Sequence, residues 1–407
     1  MAEPRTVTIT RFDDARSAFR QRDFRQALYD EGDVVMADVL VNLHGDEHRN
    51  RRRLENRLFR RDTHEHYERS LFPPIVEDTI APYRAAGYAE LVAFSHHMMM
   101  NLAAFTAGVD RPLGTADETF RLYSYMMRFI EGATLAHYTG DREAKRAEVA
   151  EALTQFDEEF LAPSIARRVA LLGELAAGAR NEDSLPRDVL TVLLRNQDNL
   201  DLPADVVLRE TCFFLLAGAH TSATAFVRTL HNVFGMIERD PTQRARLRRD
   251  LGFLQQCVHE TVRLQPSSPV AMRWALASTT LDDGTVVEPG DKIVIDLMRA
   301  NRDVDVFGDD ADDFRPDRAI PEMAPRWGLS FGTGMHACIG QDLAGGLDPR
   351  GSTPGPDHLY GLVATALNAM LAAGAVPDPD DPPLIDPESE RGYWLRYPVR
   401  FDPGTSS

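Results

Sequence analysis

The chain is poor in cysteine, in lysine and in long apolar runs. Its 407 residues include three cysteines, Cys212, Cys257 and Cys338. Three cysteines cannot form a disulfide framework, which excludes a small stapled secreted scaffold. The longest apolar stretch near the middle, Cys212 to Ala219, is 8 residues, far short of the ~20 that span a bilayer. The start, Met1-Ala2-Glu3-Pro4-Arg5, has no apolar core of a signal peptide. The expectation is a soluble, reduced, cytoplasmic protein with no membrane partner. Of 45 cations only Lys145 and Lys292 are lysine, a skew that fits a GC-rich genome better than any chemistry. Positive charge as a whole is outweighed, with 63 acids and a net charge of −18. That balance argues against a general nucleic-acid binder. What is present suffices for a core: 43% of the residues are hydrophobic, which argues against disorder. The length fits two or three domains or one large helical one.

No repeat of 20–50 residues stands out. Apolar residues recur at helical spacing through most of residues 10–265, as in Phe12, Ala15, Phe19 and Val76, Ile80, Tyr83. Residues 142–175 read as one long amphipathic helix. Residues 204–234 are apolar nearly all round, the pattern of a helix buried in a large domain. The pattern changes after Arg273. Thr279–Leu281 and Thr285–Val287 flank Asp282-Asp283-Gly284 and predict a hairpin. Another strand is expected at Lys292–Ile295. Residues 301–337, with Pro316, Pro321, Pro325, Gly328, Gly332 and Gly334, look irregular. Helix is expected near Cys338, a break at Gly345-Gly346, and helix again from about Asp357. The sequence therefore divides into a helix-rich body (10–265), a β-rich and loop region (266–340), and a C-terminal part (341–407) with a Gly/Pro-rich insertion at 345–357.

The most distinctive segment is Phe331-Gly332-Thr333-Gly334-Met335-His336-Ala337-Cys338-Ile339-Gly340. Its glycines let the backbone turn tightly and approach a flat ligand closely. A thiol placed just before a helix is favoured as thiolate, and a thiolate is a soft metal ligand. A buried structural cysteine in a glycine loop is the plainer reading. One Cys and one nearby His do not make a tetrahedral zinc set, and no βαβ unit frames the glycines for a dinucleotide. A second motif is Glu260-Thr261-Val262-Arg263, whose acid and guanidinium share a helix face; in isolation it reads as a surface pair. A third is Ala217-Gly218-Ala219-His220-Thr221-Ser222. A helical glycine costs about 1 kcal/mol relative to alanine. It suggests either a local distortion with the Thr221 hydroxyl facing a cavity or close packing on another helix. A fourth is His48-Arg49-Asn50-Arg51-Arg52, in which His48 and Arg52 lie one turn apart. Residues 48–61 hold seven arginines and one acid, Glu55, which reads as a solvated basic face, with nucleic-acid binding the weaker functional reading.

The string Phe-x-x-Gly-x-His-x-Cys-x-Gly resembles the haem-binding loop of the cytochrome P-450 family. The other motifs fall in the family's order, so the resemblance covers roughly residues 8–401. It implies a mainly α fold with a small β region: a triangular helical prism around a buried haem, as one domain over 1–407. It implies haem b with Cys338 as thiolate axial ligand and Phe331, Gly332 and Gly340 shaping the loop. His48, Arg52, Arg273 and His336 match propionate-binding positions. Glu260, Arg263 and Arg318, the last in Phe314–Arg318, match a structural network that holds the cysteine loop. Ala217, Gly218, His220 and Thr221 match the oxygen-activating stretch. Substrate-facing positions by the same likeness are Phe213, Ala217, Ser267, Ser268, Val270, Ala271, Tyr393 and Trp394.

The implied function is that of a bacterial monooxygenase inserting one oxygen atom of O2 into a small or mid-sized organic molecule, in natural-product tailoring or catabolism. Electrons would come from NAD(P)H through a separate ferredoxin or flavodoxin docking near 48–61, on a monomer. Peroxide-driven, cyclising or coupling chemistry is an alternative, as is a non-catalytic haem or small-molecule binder. Three departures stand out. The family commonly has an acid before the threonine, where this chain has His220, an imidazole able to relay protons near neutral pH. His48 also comes early, which implies shortened N-terminal elements, and 345–357 interrupts a helix that normally runs on. The remaining histidines, His64, His66, His96 and His97, read as surface or packing residues.

Overall fold

The computed structural model describes residues 4–135, 138–349, 354–387 and 392–402. The chain is mainly helical with small sheets. It divides into two compact units, one of Met1–Phe24, His64–Met98 and Thr221–Ser407, the other of Arg25–Thr63 and Met99–His220. Among the described residues no helix is long and apolar enough to cross a membrane.

In the first unit, strand Lys292–Asp296 pairs parallel with Thr6–Ile9 and antiparallel with Val270–Ala275. Ile293 and Ile295 are fully buried and their neighbours half-exposed, the period of two that places alternate side chains on opposite faces. Both isoleucines join a core cluster with Ile9, Phe12, Phe19, Phe24 and Leu329. Thr279–Thr280 pairs antiparallel with Val286–Val287, and Gly284 takes the positive φ of +85° that the turn needs. A further sheet joins Tyr88–Glu90, Pro398–Phe401 and Ala375–Pro377.

The long helix runs Ala204–Arg239, 36 residues, about 54 Å at 1.5 Å per residue. The boundary between the units falls inside it, at His220–Thr221. In the second unit the expected helix 142–175 is helical throughout but changes pitch. It begins under Asp141, whose carboxylate accepts from Glu143 N and Ala144 N. A π turn at Asp157–Leu161 then precedes Ala162–Ala176. Pro163 gives the reason: it lacks an N–H and its ring clashes with the carbonyl four residues back.

After Cys338 the helix lasts only for Gln341–Gly345. Helix returns at Leu362 rather than near Asp357. The excursion between them leaves at Gly346 and returns at Gly361, and a Cβ on Gly361 would lie 2.3 Å from Gly346 N. Residues 350–353 of the Gly/Pro-rich insertion lie outside the described residues.

Candidate active site

The cysteine loop is built by short-range turns. A 3-10 turn spans Gly334–His336, and Gly332 and Gly334 have φ of +63° and +74°. A Cβ on Gly334 would meet Phe19 O at 2.6 Å, so only glycine fits that close approach. Phe331 O accepts from Cys338 N at 2.8 Å and closes the loop. Cys338 is exposed, while Cys212 and Cys257 are buried. Burial pushes both of those thiols well up, which leaves Cys338 as the accessible soft donor. An exposed thiol on a glycine-turned, closely packed loop fits the iron of a flat macrocycle. His336 lies half-buried within the turn. Arg273 is buried, with its guanidinium 5.3 Å from the Phe19 ring centroid.

Glu260, Arg263 and Arg318 come together in the first unit. Arg263 Nε and Nη2 each donate to Glu260 at 2.7 Å, the parallel fork that suits a carboxylate. Arg318 Nε donates to the same carboxylate at 3.2 Å. Arg263 Nη1 also donates to Asn301 O and Ala311 O, at 2.7 and 2.8 Å. Arg263 is fully buried, so these bonds offset the desolvation of its charge. The surface-pair reading does not hold for this arginine.

The sequence reading missed Asn301. Its Nδ2 donates to Arg263 O at 3.0 Å and to Ser330 Oγ at 2.9 Å, and its Oδ1 accepts from Leu329 N at 2.7 Å. One buried amide therefore ties the Glu-Arg helix, Leu251–Leu264, to the approach of the cysteine loop. A Cβ on Gly328 would lie 2.3 Å from Asn301 Oδ1, and that glycine was the available signal.

The helix Ala204–Arg239 continues unbroken through Gly218. A Cβ on Gly218 would sit 3.5 Å from Ala103 Cβ, so this glycine serves packing rather than a distortion. Phe213, Ala217 and His220 are half-buried and Thr221 is exposed, although residues 222–230 are all buried. Positions 213, 217, 220 and 221 share one helix face. That face is accessible just before the buried stretch 222–230.

Among the substrate candidates, Ser267 Oγ donates to Thr221 O at 3.2 Å and Ser268 Oγ to Val270 O at 2.8 Å. Ala271 packs on the sheet core, beside half-buried Val270. Tyr393 stacks under Arg228 at 5.2 Å. Trp394 lies 4.7 Å from the His231 ring. The last two therefore lie along the later half of the long helix, about two to three turns beyond Thr221.

In the second unit, His48 and Arg52 lie on helix Gly45–Glu55. His48 is buried, and burial together with Arg52 and His44 lowers its pKa to about 4. Arg52 Nε donates to Asn56 Oδ1 at 3.0 Å. Arg49, Arg53, Arg57, Arg60 and Arg61 are exposed. Arg51 is not part of that face: it is buried and donates to Glu210 Oε2 at 2.7 Å.

The sequence profile of the family described as cytochrome P-450 matches residues 146–345. The cyclomarin C epoxidase of Salinispora arenicola is 29% identical over 252 residues, which cover 60% of this chain and 60% of that protein. A self-sufficient cytochrome P-450 monooxygenase of Penicillium freii is 23% identical over 252 residues, 56% of this chain and 24% of that protein. Both matches span less than two thirds of the relative's length. The crystal structure of CalO2 superposes with a TM-score of 0.72 at 19% identity, covering 98% of this chain and 91% of that one. Residues 146–345 thus match the cytochrome P-450 family, and the fold over nearly the whole chain is that of the similar solved structures.

Proposed function

We propose that the chain is a haem-thiolate monooxygenase that inserts one oxygen atom of O2 into a small or mid-sized organic substrate. The observation that carries this reading is Cys338, an exposed thiol on a glycine-turned loop whose approach is anchored to the Glu-Arg helix through Asn301. Haem b, when bound to Cys338, supplies the oxygen activation. His48, Arg52, Arg273 and His336 would hold its propionates through charged forks and imidazole N–H groups. Cys338 donates electron density as the thiolate. Thr221, accessible on the long helix, holds a proton at its hydroxyl. His220, in place of an acid, passes protons to that site through its imidazole. Phe213, Ala217 and Ser267 would face the substrate, and the apolar pair would exclude water from it.

Two relatives are named for epoxidation and monooxygenation, both oxygen insertions, which supports the reaction class. Electrons reach the site from NAD(P)H through a separate ferredoxin or flavodoxin. The exposed arginines at 49, 53, 57, 60 and 61 favour an acidic donor. The test is substrate-dependent NAD(P)H and O2 consumption by the haem-loaded protein with ferredoxin and its reductase. Stoichiometric oxygenated product supports the reading; consumption that no substrate stimulates opposes it. Replacing His220 with alanine is expected to lower product formed per NAD(P)H several-fold. Unchanged coupling would remove His220 from the proton path.

A further inference from the structure

The helix after Cys338 stops at Gly345. A helix end leaves carbonyls without intrahelical N–H partners, and buried ones need another donor. Here the donors come from the Glu-Arg helix. Gln255 Nε2 donates to Gly345 O at 2.9 Å and to Leu347 O at 3.0 Å. His259 Nε2 donates to Gly345 O at 2.7 Å. Gln255 and His259 are one turn apart on the same face, and each is 1% exposed. His358 Nε2 lies 3.0 Å from Gln255 Oε1 and braces the amide. Since a carbonyl can only accept, His259 carries its proton on Nε2. Burial lowers its pKa to about 4, so the ring is neutral near pH 7.

His259 also reaches the start of the cysteine loop. Its ring packs edge-on against Trp327 at 5.0 Å, and Trp327 packs against Phe331 at 5.7 Å. Phe331 O is the acceptor for Cys338 N. A Cβ on Gly345 would lie 3.5 Å from the Phe331 ring and 3.6 Å from His259 Nε2. One end of segment 331–345 is therefore hydrogen-bonded to this buried imidazole, next in sequence to Glu260, and the other end packs on it through Trp327.

We propose that Gln255 and His259 are positioning residues for Cys338, supplying from a neighbouring helix the support that a helix ending at Gly345 lacks. Neither touches substrate or the reacting atoms. The inference rests on the reading of Cys338 as the iron ligand, and the test separates the two. Wild type, His259→Phe, His259→Gln and Gln255→Ala are purified with haem, reduced under CO, and their spectra followed with time across neutral pH. The readout is the fraction holding the red-shifted thiolate-type Soret band against the neutral-thiol form.

His259→Phe keeps a ring against Trp327 and removes the donor. It and Gln255→Ala are expected to lose the thiolate-type band several-fold faster than wild type. His259→Gln, which restores an N–H donor, is expected to recover most of the wild-type rate. Variants that unfold more readily yet keep the wild-type band and rate of loss would overturn the proposal. Should His259→Phe not fold, Gln255→Ala decides alone in the same way. A wild-type protein lacking the thiolate-type band would instead overturn the assignment of Cys338.

Discussion

At the scale of the residue, the least expected feature is the acid pair beside Arg51. Glu210 is fully buried, accepting from Leu40 N at 3.0–3.1 Å and from Arg51 at 2.7 Å. Its pKa still rises, to about 7, chiefly through burial. Glu55 is also fully buried, and neither carboxyl oxygen has a hydrogen-bond partner among the described residues. Burial, then the Glu210 charge, hold it well above the usual carboxylate range. A folded pKa above the unfolded one means that the folded state binds the proton more tightly. The associated stability is full below the unfolded pKa and is lost as pH rises through the folded one. Glu55→Gln removes this penalty while keeping the shape. It should stabilise the protein little near about pH 5 and more near about pH 8, in urea denaturation at both. A destabilisation that grows with pH would mean that Glu55 is charged and well paired.

At the scale of the element, the pinch between Gly346 and Gly361 is the most exacting piece of backbone. Both lie at positive φ with ψ near 160–180°, a region open essentially to glycine alone. Gly361→Ala should cost roughly 2 kcal/mol or more through backbone strain and contact with Gly346. Gly355→Ala, with nothing within 4 Å of its Cβ position, should be near neutral. Urea midpoints of the two variants check the difference, and equal midpoints would contradict it. Elements of this kind also mark how far the sequence was legible. The hairpin at 279–287, the strand at 292–296 and the buried helix were readable because turn chemistry and periodicity are local. The break at Gly345 was visible for the same reason. Its repair was not, because Gln255 lies 90 residues from the carbonyl it caps. Likewise, seven arginines announce a basic helix, but which one turns inward depends on Glu210, 159 residues from Arg51. Asn301 carries no motif at all and gains its role only when Arg263, Leu329 and Ser330 gather around it.

At the scale of the whole molecule, the net charge of −18 makes the five exposed arginines of residues 49–61 an exception. Opposite charge speeds encounter, and salt screens it within about 10 Å at 0.1 M. The rate of reduction by an acidic ferredoxin should therefore fall as salt rises. Arg53→Glu with Arg57→Glu should slow it several-fold at low salt and little at high salt, by stopped-flow. A rate indifferent to both would place the docking surface elsewhere. The proposed function rests on one bond, between Cys338 and haem iron. The most direct measurement is the reduced CO spectrum of the haem-loaded chain beside that of Cys338→His. A red-shifted Soret band is expected in the wild type, and its loss in Cys338→His with haem still bound. A wild type without that band, or a variant that keeps it, would rule out Cys338 as the iron ligand.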